Sequence, residues 1–378
     1  MTTTGIYIHI PYCISKCAYC DFLSFPAGVD GTQEAYVNAL LSEIELASRT
    51  RLDGVLIDTV YIGGGTPTAL TSPLLCKILQ KIGGLRLISG AEITVEANPG
   101  TLTPEYLAAL KSSGVNRLSI GLQTTQPRLL HAINRIHTYE EFLQNFQAAR
   151  EAGFSNINID LMFALPRQTQ EDWQETLAEI VALSPEHISA YSLTPAENTP
   201  LWDALESNTM HLPSEETDRN MYRTAKEILS MAGYTHYEIS NFAKPDKESR
   251  HNVNCWKRVP YLGFGLGAHS LGNAGGSVSR WNNTETMQEY VQAPTNAGKN
   301  ITPLSKQDQM AEAMILGLRL TEGVSEQGFA AEFGITPTES YKEIPPLISG
   351  GLLVRGNGYL RLTPKGLDLA NQVFTAFL

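Results

Sequence analysis

Six runs rich in branched apolar residues alternate with stretches of helical spacing, and this alternation narrows the possible folds more than any other feature. The runs are GIYIHIP (5–11), DTVYIGGG (58–65), AEITVEANP (91–99), NRLSIGLQ (116–123), SNINIDLMFALP (155–166) and EHISAYSLTP (186–195). Gly, Pro, Asn or Asp bounds them, as expected of strands. Between them, apolar residues recur with a helical period over 33–47, 72–82, 104–112, 139–152 and 170–182. Repeated βα units imply parallel strands joined by right-handed crossovers. A barrel and a doubly wound open sheet both satisfy that pattern. A helix over 214–232 and one further strand, YEISNFA (237–243), are expected to follow.

The chemically unusual residues gather at one end of these strands. A cysteine cluster follows the first run, Gly63 to Pro67 close the second, and Glu96 and Asn98 close the third. Gln123 closes the fourth, Asp160 lies late in the fifth, and Tyr191 to Thr194 close the sixth. In a barrel the C-terminal strand ends build the active site, whereas branched apolar side chains fill the interior. The layout therefore predicts a polar mouth above an apolar interior.

Cys13, Cys17 and Cys20 form C-x3-C-x2-C on a loop at that mouth. Five cysteines, three of them clustered, do not make a disulfide framework and point to a reducing, cytoplasmic setting. Thiolates suit zinc, copper(I) or iron–sulfur clusters. A zinc knuckle would need a fourth ligand, for which His9 and Asp21 are the candidates, because Cys76 falls in a helix and Cys255 is remote. Alternatively, three thiolates hold three irons of a cubane and leave the fourth iron open to a small chelating molecule. The formal charge of −11 argues against a general nucleic-acid binder. No run of about eighteen apolar residues exists, so no membrane span is expected.

C-x3-C-x2-C after a first barrel strand resembles the radical S-adenosylmethionine (SAM) superfamily, and several further segments fit. These are YIHIPYC, GGGTPT, the Glu of VEANP, the Gln of SIGLQ, the Arg of INRIH and the Asp of NIDLMFALP. Together they resemble the coproporphyrinogen-oxidase-like branch over essentially the whole chain. The resemblance implies an α/β fold with a partial (β/α)6 barrel, a [4Fe–4S] cluster on Cys13, Cys17 and Cys20, and SAM on its open iron. It implies SAM contacts at Tyr7, Tyr19, Gly64, Gly65, Thr66, Glu96, Gln123, Arg135, Asp160 and Thr194. Glu96 and Asp160 would accept hydrogen bonds from the amino group and ribose hydroxyls, and Arg135 would pair with the SAM carboxylate.

Within this branch, oxygen-independent oxidases decarboxylate coproporphyrinogen III, whereas HemW-type heme chaperones bind heme and pass it on. The oxidases carry a further cysteine two residues after the third ligand, where this chain has Phe22, and a longer stretch ahead of the cluster motif. Both differences favour a chaperone over an enzyme. RHNVNCWKR (250–258) is similar to the HemW-type His-Asn-x-x-Tyr-Trp segment at His251, Asn252 and Trp256, but has Cys255 in place of tyrosine. His251 is thus the expected axial ligand of heme, with the Trp256 indole against the porphyrin. Cys255 either replaces a phenol that merely packed or itself offers a thiolate to the iron. The expected partners are heme, a heme-accepting protein and an electron donor.

Three parts follow: a barrel (1–245), a linker and heme-binding segment (246–304), and a C-terminal α+β module resembling a winged helix (305–378). The small, polar stretch 271–301 is expected to loop over the mouth or to link the modules. The last part carries six Lys and Arg against eight Asp and Glu, so it reads as a lid, packing module or partner surface.

Overall fold

The computed structural model describes residues 3–28, 31–274, 276–296 and 298–378. Among the described residues, twelve strands form one sheet. The first six are β1 (Thr3–Ile10), β2 (Leu56–Gly64), β3 (Leu87–Ala97), β4 (Arg117–Gln123), β5 (Ile157–Phe163) and β6 (His187–Ser192). They pair in chain order, all parallel. The crossovers carry α1 (Thr32–Ser48), α2 (Ser72–Gly83), α3 (Pro104–Ser112), α4 (Tyr139–Glu151) and α5 (Gln170–Leu183), within two residues of the sequence expectation. Local chemistry explains the starts: the Thr103 hydroxyl accepts from the Tyr106 amide, and Thr138–Glu141 and Thr169–Asp172 form reciprocal capping boxes.

Beyond β6 the expected single strand 237–243 is a hairpin. After α6 (Glu215–Met231), β7 (Thr235–Glu238) and β8 (Asn241–Ala243) pair antiparallel, and β8 docks antiparallel on β6. Segment 246–304, expected to link and loop, is largely regular structure. It holds α7 (Arg250–Trp256), β9 (Tyr261–Phe264), β10 (His269–Ala274), β11 (Ser277–Asn283) and β12 (Gly298–Pro303). β9 lies parallel to the free edge of β1, and β10 to β12 follow it antiparallel. The sheet order is β12-β11-β10-β9-β1-β2-β3-β4-β5-β6-β8-β7, and among the described residues its two edges do not pair. The barrel is therefore partial.

The strands are amphipathic with period two. Ile6, Ile8, Val60, Ile62, Val95, Leu118, Ile120, Ile157, Ile159 and Ile188 join the helices in one core. The opposite face carries Thr59, Thr94, Arg117, Ser119, Asn158 and His187, all buried. The interior is polar rather than packed with branched apolar residues, contrary to expectation. The helices bury the apolar faces outside, so the inward faces are left to polar side chains.

The C-terminal module, Lys306–Gly317 onward, has its own core of Met314, Leu318, Phe329, Phe333, Ile344, Leu353, Leu360 and Phe377. Its three-stranded sheet places Tyr359–Leu362 between Val324–Ser325 and Leu353–Gly356, in the winged-helix-like arrangement expected. It is pinned to the barrel by the Ile239 amide donating to the Arg319 carbonyl (3.1 Å) and the Thr321 amide donating to the Tyr237 carbonyl (3.0 Å). Among the described residues no helix is long and apolar enough to cross a membrane.

Candidate cofactor site

β1 ends at Ile10, and the chain turns through Tyr12–Cys13, which pairs with Phe25–Pro26, so the cysteine loop is tied at both ends. The glycine run makes this possible. A Cβ on Gly65 would lie 2.7 Å from the Tyr12 carbonyl oxygen and 2.9 Å from that of Ile10, both rigid backbone. Gly65 instead donates its amide to the Ile10 carbonyl at 2.9 Å, and Thr66 donates to the Tyr12 carbonyl at 2.7 Å. Gly64, at φ +110°, lies where a Cβ would strike the His9 ring. These glycines therefore let the end of β2 run alongside the entry to the cysteine loop.

Cys13, Cys17 and Cys20, all partly buried, line one cavity of about 390 Å³ at the mouth. Tyr19, Gly64, Gly65, Thr66, Glu96, Gln123, Arg135, Asp160 and Thr194 line it too. Seven segments of the chain thus converge, from the cysteine loop to Thr194 after β6. Tyr7 lies just outside, its hydroxyl 3.0 Å from His9 Nδ1 and its ring stacked on Tyr61. His251 does not join the group. Gly121 and Ser119, which the sequence does not single out, line the same cavity, as does Asn98, which the sequence places at the mouth without a ligand role. The alternation Arg117, Ser119, Gly121, Gln123 along β4 is the signal that would have found two of them.

Each polar group is held by another. The Thr66 hydroxyl donates toward Cys13 Sγ at 3.6 Å and accepts from the Asn98 amide at 2.7 Å. Arg135 donates to Cys17 Sγ (3.4 Å), to Asn98 Oδ1 (3.0 Å) and to the Gly121 carbonyl, and its buried Nε has no partner among the described residues. Gln123 sits at a register shift in β4, at φ +77°, which turns its side chain to accept from the Tyr191 hydroxyl at 2.9 Å. Glu96 accepts from the Tyr61 hydroxyl (2.7 Å) and the Gly64 amide (3.1 Å). Burial pushes its carboxyl up to about 7, with the nearby Asp160 charge adding to the rise. Burial also raises Asp160, against hydrogen bonds from Ser189 and Asn158. Burial raises the Cys13 and Cys20 thiols.

The donor set suits a cluster better than zinc. His9 has both ring nitrogens engaged, by the Tyr7 hydroxyl and by the Leu23 carbonyl at 3.0 Å. Among the described residues no three His, Cys, Asp or Glu side chains converge closely enough to hold a single metal ion. A tetrahedral zinc gathers its ligands around one centre, whereas a cubane spreads its thiolates over three irons.

His251 lies at the opposite end of the strands. α7 is anchored there by the Glu92 carboxylate, which accepts the Arg250 and His251 amides, each at 3.0 Å. His251 is buried, its Nδ1 is 3.0 Å from the Thr59 hydroxyl, and its ring stacks on Tyr61 at 5.3 Å. Burial, with the Arg117 charge, lowers the imidazole to about 4, so it is neutral at physiological pH. With Cys255, it borders a second cavity of about 660 Å³ that reaches Phe22, Gly64 and Glu96 beside the cysteine loop. Burial pushes the Cys255 thiol up to about 11, so in this arrangement it is protonated rather than a thiolate. Trp256 is not on this cavity: the Arg319 guanidinium lies 4.3 Å over its ring.

This partial barrel with three cysteines at its mouth defines a radical SAM protein. Residues 7–180 match the Radical SAM superfamily, and 304–369 match the HemN C-terminal domain. The superfamily brings with it a [4Fe–4S] cluster and SAM. The chain is 37% identical over 380 residues to "Heme chaperone HemW" of Bacillus subtilis (strain 168), covering 98% of each. It is 37% identical to the protein of that name from Lactococcus lactis subsp. lactis (98% of this chain, 96% of the relative) and 31% identical to that of Escherichia coli (strain K12) (99% and 98%). The chain belongs to the HemW family of radical SAM proteins. In fold it is similar to the solved coproporphyrinogen III oxidase (HemN) from Escherichia coli, with a TM-score of 0.84, 23% identity, and coverage of 100% of this chain and 90% of that one.

Proposed function

We propose that this chain is a cytoplasmic heme chaperone that binds heme beside a SAM-bearing [4Fe–4S] cluster and passes it to an acceptor protein. Cys13, Cys17 and Cys20 would hold the cluster, with SAM bound beside it in the same cavity. When bound, the cluster with SAM would supply a redox-active centre. Around it the protein's own groups bind and orient. Glu96 and Asp160 would accept hydrogen bonds from the SAM amino group and ribose hydroxyls, and Arg135, whose Nε has no partner among the described residues, would meet the carboxylate. Tyr19, Gly64, Gly65, Thr66, Gln123 and Thr194 shape the remaining walls.

The observation that carries the heme reading is the cavity of about 660 Å³ between the cysteine loop and His251. It is of a size suited to a large cofactor. Along it lie a neutral imidazole, the exposed Phe22 and His269. His251 would ligate through Nε2, with Nδ1 held by Thr59. Cys255, a protonated thiol, serves as packing.

Anaerobic titration with heme tests the reading. A shifted Soret band is expected, with affinity falling at least tenfold in His251→Ala. No Soret change, or an unchanged affinity in the variant, refutes His251 ligation. Robust anaerobic conversion of coproporphyrinogen III with SAM and reductant would make the chain an oxidase instead.

A further inference from the structure

Between the cofactor pocket and α7, the barrel interior holds another polar space, of about 180 Å³. Arg117, at the start of β4, lines it and is 2% exposed. Among the described residues it makes no ion pair, and its Nε is buried without a partner. A guanidinium has five donors and stays charged, and buried charges in proteins are ordinarily paired.

The neighbouring side chains do not supply the missing acceptor. Asn158 donates to Ser119 and Asp160, both at 2.7 Å, and its carbonyl accepts from Ser189 at 3.1 Å. Asp160 is committed to Asn158 and Ser119 and, among the described residues, makes no ion pair with Arg117, although the guanidinium's charge opposes the rise of its carboxyl. Asn252, Ser240 and Asn241 also line the space with neutral groups only, and among the described residues the buried Asn241 Oδ1 makes no hydrogen bond to the guanidinium or to any other group. His187 and His251 face the same guanidinium and are held neutral by burial and by its charge.

We propose that Arg117 binds a carboxylate group inside the barrel, supplied by a free short-chain acid or by the acid arm of a larger ligand seated above. The planar guanidinium fork matches a carboxylate in bidentate fashion. The volume admits a few heavy atoms, not a nucleotide. Asp160 on the wall and Glu96 close by repel a dianion such as phosphate and leave a monoanion favoured. Only the acid-arm source rests on the heme reading, since heme carries two propionates and Tyr61, on the cavity wall, stacks on His251.

Two titrations of the full-length, cluster-loaded protein separate the sources. In the first, 13C-propionate is followed by NMR line broadening in the absence of heme. Broadening that phosphate does not compete away, and that Arg117→Gln abolishes, identifies a free-acid site. In the second, heme is compared with heme dimethyl ester. Heme binding at least tenfold tighter than the ester, with the preference erased in Arg117→Gln, identifies the acid arm. If Arg117→Gln does not fold, Asn252→Leu, which narrows the same space, must give the same losses. Wild-type protein that neither binds propionate nor distinguishes heme from its ester overturns the proposal, as does a preference that both variants retain. If neither heme nor ester binds, the heme reading fails by itself and the propionate titration alone decides this inference.

Discussion

Replacing Glu96 with glutamine separates the charge of the cofactor pocket from its shape. Burial lifts the carboxyl from its ordinary 4.5 to about 7, which makes the ionised form less favourable by ~3 kcal/mol in the folded chain. The folded state holds its proton more tightly than the unfolded chain does. This group's contribution to stability is therefore fully present below pH 4.5 and is lost as pH rises to about 7. Glutamine removes that penalty, but it offers one acceptor to two donors, the Tyr61 hydroxyl and the Gly64 amide. Leaving one of them unpaired costs ~1–3 kcal/mol. The two effects nearly cancel, so at pH 8 the variant's stability should lie within ~2 kcal/mol of wild type, measured by urea unfolding. SAM binding should respond much more. Losing a charged acceptor for the amino group removes ~1.5–3 kcal/mol, or roughly 10- to 100-fold in affinity. Anaerobic calorimetry of the cluster-loaded protein should show wild-type affinity rising with pH up to about 7 and then levelling. Glu96→Gln should be weaker and flat. Wild-type affinity independent of pH from 5.5 to 8, or a variant that binds SAM as tightly as wild type, would refute the reasoning.

Three further outcomes are expected. Cys17→Ser should abolish iron uptake on reconstitution while leaving the far-ultraviolet circular dichroism unchanged, because Cys17 sits on a loop outside the core; loss of folded protein would make the thiol structural. Gly65→Ala forces a Cβ to 2.7 Å from the Tyr12 carbonyl oxygen and should cost ~2 kcal/mol or more in urea unfolding along with SAM binding; wild-type stability would mean that the two strands separate freely there. Thr59→Val removes the partner of His251 Nδ1 and should weaken heme binding roughly tenfold; heme titration of the variant checks this, and unchanged affinity would show that Thr59 does not orient the imidazole.

Much of the architecture is legible in the sequence. The helices after β1 to β5 begin at residues whose side chains close their own first turns, such as Thr138 and Thr169. That chemistry is local, so it can be read from neighbours in the chain. The cysteine spacing is local in the same sense. The hairpin at 235–243 was missed because Ile239 and Ser240 look no different in sequence from a continuing strand. The strands at 261–303 were missed because small polar residues also fill loops. The polar interior was misjudged because alternation along a strand reveals two faces without saying which one points inward.

The order of βα units and the thiol-bearing loop after the first of them follow from the sequence itself, through local periodicity and spacing. Only the folded chain decided what that loop would face. Pairing of strands far apart in sequence gathered Glu96, Gln123, Arg135 and Asp160 around the sulfurs. The same long-range pairing, with β9 seated on the free edge of β1, carried His251 to the far end of the strands and buried it beside Thr59. Contacts of that kind depend on how the sheet closes, and no stretch of neighbouring residues encodes them.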